Sequence, residues 1–271
     1  MKLPLFFAFA TAASVVASGP PSGGPPRPPH HPAKPSTTTV APVPTPSLPP
    51  PTNYGILLFP AFQALDIFGP LDILNTLAMQ RTLNLSLIST TYNPVTTKHQ
   101  MMGINSTFGE DIVPTHTFDN PPNNLEVLIV PGGAGTRAPA LDPYIQYIKE
   151  VYPSLRYLIS VCTGAALLAR AGVLNGHRAT GNKRAWAFVT SQVNATEADI
   201  HWISHARWIQ SGNIWTTSGV AAGIDGVFDF VKTVYGEAVA LDVANGIEYE
   251  RQLDWRHDPF ADLYNLTDIN P

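Results

Sequence analysis

"LISVCTGAALLARAGVL" (Leu158 to Leu174) passes from an apolar run into small and aliphatic residues at Cys162, the one cysteine of a 271-residue chain. With Arg156 and Tyr157 in front of it the run reads as a buried strand, and Thr163 to Ala171 reads as the helix that follows. A side chain at such a turn faces the first helical turn, whose N–H groups lack partners and carry the positive end of the helix dipole. That setting favours a thiolate over a thiol. Thr163, Gly164, Ala165 and Ala166 are small enough to keep the turn tight and the sulfur uncovered. The arrangement is similar to the strained nucleophile elbow of α/β enzymes, without its G-x-S-x-G signature. The competing reading is a buried, inert thiol. A lone cysteine cannot make an internal disulfide, and a chain of this length does not need one.

Outward from this turn, apolar runs alternate with helical patterns. "LEVLIVPGG" (Leu125 to Gly133), "YGILLF" (Tyr54 to Phe59) and "LNLSLIST" (Leu83 to Thr90) are further strands. Pro70 marks the first turn of a helix over "GPLDILNTLAMQ", and a second helix spans Pro143 to Val151. Val95 to Phe118 is more polar, is broken by Gly103 and Gly109, and is expected to form a small ribbon outside the main sheet. Beyond Cys162 the pattern predicts a short strand at His177 to Thr180 and a helix over Lys183 to Ser191. A strand pair follows in "HWISHARWI" and "NIWTTSG", turning near Gly212, and then helices over Val220 to Val234 and Glu237 to Tyr249. This alternation predicts an α/β fold whose central sheet is mostly parallel, with helices on both faces and ligands outside the carboxyl ends of the strands. The tail from Arg251 shows no clear periodicity.

Two other places reach the same sheet edge. Gly132 and Gly133 end a neighbouring strand, where a backbone N–H can approach a ligand closely; with the N–H of Thr163 they would form an oxyanion hole. The plain alternative is a Pro-Gly-Gly turn. Asp66 follows the first strand among Leu65, Ile67 and Phe68. A carboxyl in apolar surroundings has its pKa raised, and such an acid would donate to a thiolate and later deliver a proton, so that its loss would raise the pKa of the thiol. Its alternative is a cap for the helix at Pro70. Trp202, Trp208 and Trp215 read as core or dimer-contact aromatics, Asp225 as a helical polar group near the site, and Asp72 as a solvated or capping side chain.

The amino end belongs to another regime. Residues 1–18 have Lys2, an apolar stretch from Leu3 to Val16 and small residues at Ala17 and Ser18, the layout of a cleavable secretory signal. Residues 19–52 hold about half of the 27 prolines and almost no bulky apolar side chains, so they are expected to be a disordered, extended spacer before a domain at 53–250 and a tail at 251–271. Sequons at Asn84, Asn105, Asn194 and Asn265 agree with secretion and glycosylation. The net charge of -4, without a Lys/Arg stripe, argues against a nucleic acid partner. Once the signal is removed, no membrane segment is expected.

"FPAFQALDIFGPLDIL", "VLIVPGGAG", "ISVCTGAALLARAGVLNGHRAT" and "WTTSGVAAGIDGVFDFV" occur in an order that resembles the ThiJ/PfpI superfamily, which includes the Parkinson-associated deglycase and is class I glutamine amidotransferase-like. The resemblance spans Tyr54 to Gly246 and is strongest to the isonitrile hydratase-like branch. It implies a flavodoxin-like three-layer sandwich, a homodimer, and no required metal or organic cofactor. It also implies Cys162 as nucleophile, Asp66 as its hydrogen-bonding acid, and Gly133 and Thr163 as backbone donors, with the Thr163 hydroxyl as a further contributor. Many relatives carry a histidine after the strand equivalent to "RATG"; Asn182 stands there, in the substrate pocket with Gly132. A Cys–His pair and peptidase chemistry lose support by this change, while chemistry that relies on an acid does not. His177 is close in sequence but is expected at the start of a strand, facing away.

The functional expectation is a cysteine-dependent lyase or hydrolase acting on a small electrophile, most like an isonitrile hydratase. A glyoxalase- or deglycase-like enzyme acting on 2-oxoaldehydes, and a non-catalytic ligand-binding or redox-sensing module, are the alternatives. A regulatory domain fused to a helix-turn-helix is disfavoured, because little chain follows Tyr249.

Overall fold

The protein is described from a computed structural model covering residues 48–99, 106–193 and 199–270. The expected signal, most of the spacer, and the sequons at Asn105 and Asn194 lie outside the described residues. The strands are β1 (Asn53–Leu57), β2 (Asn84–Ser89), β3 (Val95–Thr96), β4 (Asp111–Ile112), β5 (His116–Thr117), β6 (Val127–Val130), β7 (Tyr157–Ser160), β8 (Arg178–Ala179), β9 (His201–Trp202), β10 (Trp208–Ser211) and β11 (Ile214–Thr217). The helices are α1 (Ala64–Ala78), α2 (Asp142–Val151), α3 (Gly164–Arg170), α4 (Trp186–Ser191), α5 (Ala222–Tyr235), α6 (Glu237–Gly246) and α7 (Pro259–Leu263).

Among the described residues one seven-stranded sheet runs in the order β10-β11-β7-β6-β1-β2-β5, parallel throughout except for the β10–β11 hairpin. Helices α1, α5 and α6 pack together on one face and α2, α3 and α4 on the other, so the α/β sandwich expected from the alternation is the fold found. Strands covered on both faces must be apolar along their whole length. Val127 to Val130, Ile56, Leu57, Leu158 and Ile159 accordingly have no exposed surface. Burying each such side chain contributes roughly 1.5–3 kcal/mol. Trp202, Trp208 and Trp215 are core residues, and Trp215 Nε1 donates to Asp229.

Three local expectations are corrected. α1 begins at Ala64, not at Pro70, and Pro70 lies inside it. The chain turns at Gln63, whose N–H donates to Gly132 O (2.9 Å), so the helix starts where the neighbouring strand end anchors it; the missing N–H of Pro70 costs one bond within α1. The ribbon is present as β3–β4, but β5 leaves it and joins the edge of the main sheet beside β2. The hairpin turns at Gly212 as expected, with φ +61°, yet it comprises β10 and β11 alone; His201 and Trp202 pair instead with β8.

The tail also proves to be structured. Arg207 N donates to Trp255 O (2.6 Å), Gln252 N to Asp225 Oδ1 (2.9 Å), and Ser204 N to Asp268 Oδ1 (2.7 Å), while Trp202 and Ile269 exchange backbone bonds. Each anchor is long-range in sequence, which is why no local periodicity announces it.

Candidate active site

β1, β6 and β7 are parallel neighbours, so the turns leaving their carboxyl ends meet at one edge of the sheet. Cys162 stands two residues past β7 with φ +62°, a left-handed backbone that costs a non-glycine residue of order 1–3 kcal/mol. The strain is held by a bond on each side: Cys162 N donates to Ser218 O (3.0 Å), and Asn182 N to Cys162 O (3.2 Å). The approach from β6 is equally close. A Cβ at Gly132 would fall 2.5 Å from Thr163 N and 2.9 Å from the Cβ of Cys162, so only glycine fits.

Asp66 does not cap a helix. It sits in the first turn of α1, fully buried, and its Oδ2 accepts from Gly132 N at 2.8 Å. Oδ1 has no fixed donor, and the Cys162 thiol reaches the same carboxyl. Burial pushes Asp66 up to about 7, against the pull of the Gly132 N–H and the thiol.

Cys162 is 5% exposed, and three donors reach its sulfur: Asn182 Nδ2 at 3.2 Å and the backbone N–H groups of Thr163 and Val220. These donors do not win. Burial, and after it the charge of Asp66, pushes the thiol up to about 12. The expectation of a resting thiolate is therefore corrected, because the α3 amino end is packed inside the molecule and desolvation outweighs the amide dipoles. The expected effect of Asp66 is reversed as well: its carboxylate opposes ionisation of the sulfur.

The expected oxyanion donors at the β6 end are committed elsewhere. Gly132 N–H serves Asp66, and Gly133 N–H donates to Thr163 Oγ1 at 2.9 Å. The Thr163 hydroxyl lies in a buried web with Gly133 and Thr136, whose Oγ1 is 3.1 Å away, so it braces the elbow instead of facing a ligand. Val220 N–H, a donor the sequence did not indicate, reaches the sulfur. Its position in "SGVAAGID" carried no donor signal, because any residue supplies a backbone N–H.

Asn182 fills the place of the missing imidazole with a fixed orientation. Its Oδ1 accepts from Ala185 N at 2.8 Å, which turns the amide NH2 toward the sulfur and leaves it a donor with no basic function. His177 is at the opposite sheet edge, its Nδ1 3.1 Å from Ser211 Oγ. Asp225 is a buried polar group of α5, as expected, and it clamps Arg207, Tyr249 and Gln252 together. Asp72 is exposed, as expected.

Asn182 and Val220, which reach the sulfur, also line a cavity of about 270 Å³, together with Lys183, Arg184, Gly219, Phe260 and Tyr264. It lies just below the roughly 300–1,000 Å³ usual for drug-sized ligands, a volume for a small molecule. Neither Phe260 nor Tyr264 was identifiable from sequence as part of a site. Among the described residues no group of three His, Cys, Asp or Glu side chains is placed to hold a metal, and no helix is long and apolar enough to cross a membrane.

Comparison with known proteins agrees with this geometry. The DJ-1/PfpI family matches residues 55–234. The isonitrile hydratase of Pseudomonas putida is 34% identical over 197 residues, spanning 72% of this chain and 76% of that protein. The HTH-type transcriptional regulator GbdR of Pseudomonas aeruginosa is 26% identical over 143 residues, which cover 53% of this chain and 37% of the regulator. A crystal structure of a THiJ/PfpI family protein from Pseudomonas syringae aligns with a TM-score of 0.60 at 26% identity, over 80% of this chain and 84% of that one. Because the matched span contains the parallel strands, the strained cysteine and the buried acid together, the protein belongs to the DJ-1/PfpI family.

Proposed function

We propose that the protein is a cysteine-dependent hydratase of small electrophiles, acting on an isonitrile and water to give an N-substituted formamide. The observation that carries this reading is the pairing of Cys162, on its strained turn, with the buried carboxyl of Asp66. Likeness to an isonitrile hydratase over most of the chain supports the same chemistry.

The pair holds one mobile proton. Thiol plus carboxylate and thiolate plus acid are the same protonation state with that proton moved, and because the thiol, pushed up to about 12, holds its proton more tightly than the acid at about 7, the proton rests on sulfur in the free site. As sulfur attacks the terminal carbon of R–N≡C, Asp66 takes the thiol proton and delivers it to that carbon, giving the thioimidate R–N=CH–S–Cys162. Asn182 and the N–H groups of Thr163 and Val220 stabilise charge on the sulfur during the transfer. Water then adds to the same carbon, the C–S bond breaks, sulfur regains a proton, and R–NH–CHO leaves. No external oxidant or reductant enters.

The test is formation of formamide from a panel of alkyl isonitriles, followed by NMR, with methylglyoxal as the 2-oxoaldehyde control. Cys162→Ser is expected to lose more than about 10³-fold in kcat/KM. Turnover of methylglyoxal alone would favour the glyoxalase-like reading. Inertness of the wild type toward the whole panel would favour the binding or sensing role, for which the low exposure of the thiol is the supporting observation.

The same proposal takes the chain as secreted, cleaved after residue 18, carried on a proline-rich spacer, glycosylated, and acting as a homodimer. Asn84 and Asn265 are both exposed, as acceptor sites require. Intact mass and light scattering of the secreted protein test these statements; an uncleaved, unglycosylated monomer would overturn them.

A further inference from the structure

We infer that Phe260 and Tyr264, on the C-terminal segment, form the wall that selects substrates carrying a compact apolar substituent. The inference rests on the proposed attack by Cys162 and adds the class of substituent to it.

The segment lies beyond the family-matched span of 55–234. It is fastened at both ends. Lys183, the residue after Asn182, is 2% exposed and its Nζ lies 3.5 Å from Asp258 Oδ2; the same ammonium donates to Thr180 Oγ1 (2.6 Å) and Ala206 O (2.8 Å). Asp258 Oδ1 in turn accepts from Phe260 N at 3.1 Å, so one buried carboxyl both holds the lysine and starts the turn that carries Phe260. Past the helix, Asp268 Oδ1 accepts from Ser204 N and Oγ, both at 2.7 Å. Between these fixed ends Ala261 is fully buried, whereas Phe260 and Tyr264 remain 48% and 40% exposed and border the cavity.

Two half-exposed aromatic rings held by buried polar anchors are a preorganised apolar surface. The same cavity is lined by Asn182 and Val220, whose N–H groups reach the sulfur. A substrate whose reactive carbon is at Cys162 therefore projects its substituent toward Phe260 and Tyr264. Of the two cations that line the cavity, Lys183 is buried and spent on Asp258, Thr180 and Ala206, while Arg184 is exposed, where water solvates its charge. A volume near 270 Å³ suits a short branched or cyclic hydrocarbon group.

The experiment uses the full-length protein and reads ratios. For turnover, kcat/KM for cyclohexyl isonitrile relative to methyl isonitrile is expected to fall on the order of tenfold in Phe260→Ala and in Tyr264→Ala, and to be largely retained in Phe260→Leu. A second readout does not need turnover: alkylation of Cys162 by N-cyclohexylmaleimide relative to N-methylmaleimide, compared with the same ratio for a free thiol. The wild type is expected to favour the cyclohexyl reagent and both alanine variants to lose that preference. If isonitriles are not turned over but the alkylation preference is present and lost as described, the wall stands and the hydratase reading falls. If neither ratio moves in either variant while circular dichroism shows them folded, the wall is overturned.

Discussion

Asp66 and Asp225 are buried almost equally, at 0% and 2% exposure, and do opposite things. Asp225 faces the Arg207 guanidinium at 2.7 Å, the Tyr249 hydroxyl at 3.1 Å and Gln252 N–H at 2.9 Å. Its charge is matched, and it ties the β10–β11 hairpin and the tail to α5. Asp66 has one backbone donor, a thiol, and no cation, and burial pushes it up to about 7. Depth alone therefore assigns no role. The company a buried carboxyl keeps decides whether it becomes a clamp or a proton carrier.

The largest effect that would sharpen this contrast is on rate. Asp66→Asn is expected to lose on the order of 10²–10⁴ in kcat/KM. With Asp66 as the base, wild-type activity rises as pH increases through about 7, and the rise is absent from the variant. A variant that kept wild-type turnover would remove Asp66 from the chemistry. The same substitution is expected to lower the thiol pKa, since the carboxylate charge raises it, and the pH dependence of iodoacetamide alkylation measures that shift.

Stability comes next, and the two carboxyls again diverge. An acid whose pKa rises on folding, here from 3.8 to about 7, is protonated in the folded chain over a range where the unfolded chain has released the proton. Stability therefore falls as pH increases from about 4 to about 7 and stays lower above that. About three units correspond to at most about 4 kcal/mol. Asp66→Asn removes this loss, so denaturant titration at pH 8 should find the variant at least as stable as wild type. Asp225→Ala leaves Arg207 without its counter-ion and is expected to destabilise by about 3 kcal/mol, with activity per folded molecule retained. Equal destabilisation by both substitutions would break the comparison.

The smallest effect concerns the sulfur's remaining side-chain donor. Asn182→Ala removes the amide hydrogen bond at 3.2 Å and is expected to slow turnover on the order of tenfold without shifting the rise near pH 7. A lost pH rise would mean that Asn182, and not Asp66, governs the proton.

Amino-acid order alone determined the α/β architecture, because fully buried parallel strands must be apolar runs and glycines must stand where strand ends crowd together. It also singled out Cys162, Asp66 and Asn182, since a cysteine at a strand-to-helix turn and an acid among apolar neighbours are local patterns. The helix-starting preference of proline is local and points to Pro70, six residues past the true start of α1, whereas the start at Ala64 is set by a bond from Gln63 to Gly132, far along the chain. Only the tertiary structure decided the protonation of the thiol, the diversion of Gly132 and Gly133 N–H to Asp66 and Thr163, the arrival of Val220, and the folding of the tail against the cavity. Desolvation depends on everything packed around a group, and a backbone donor or a distant aromatic ring carries no local mark of its destination.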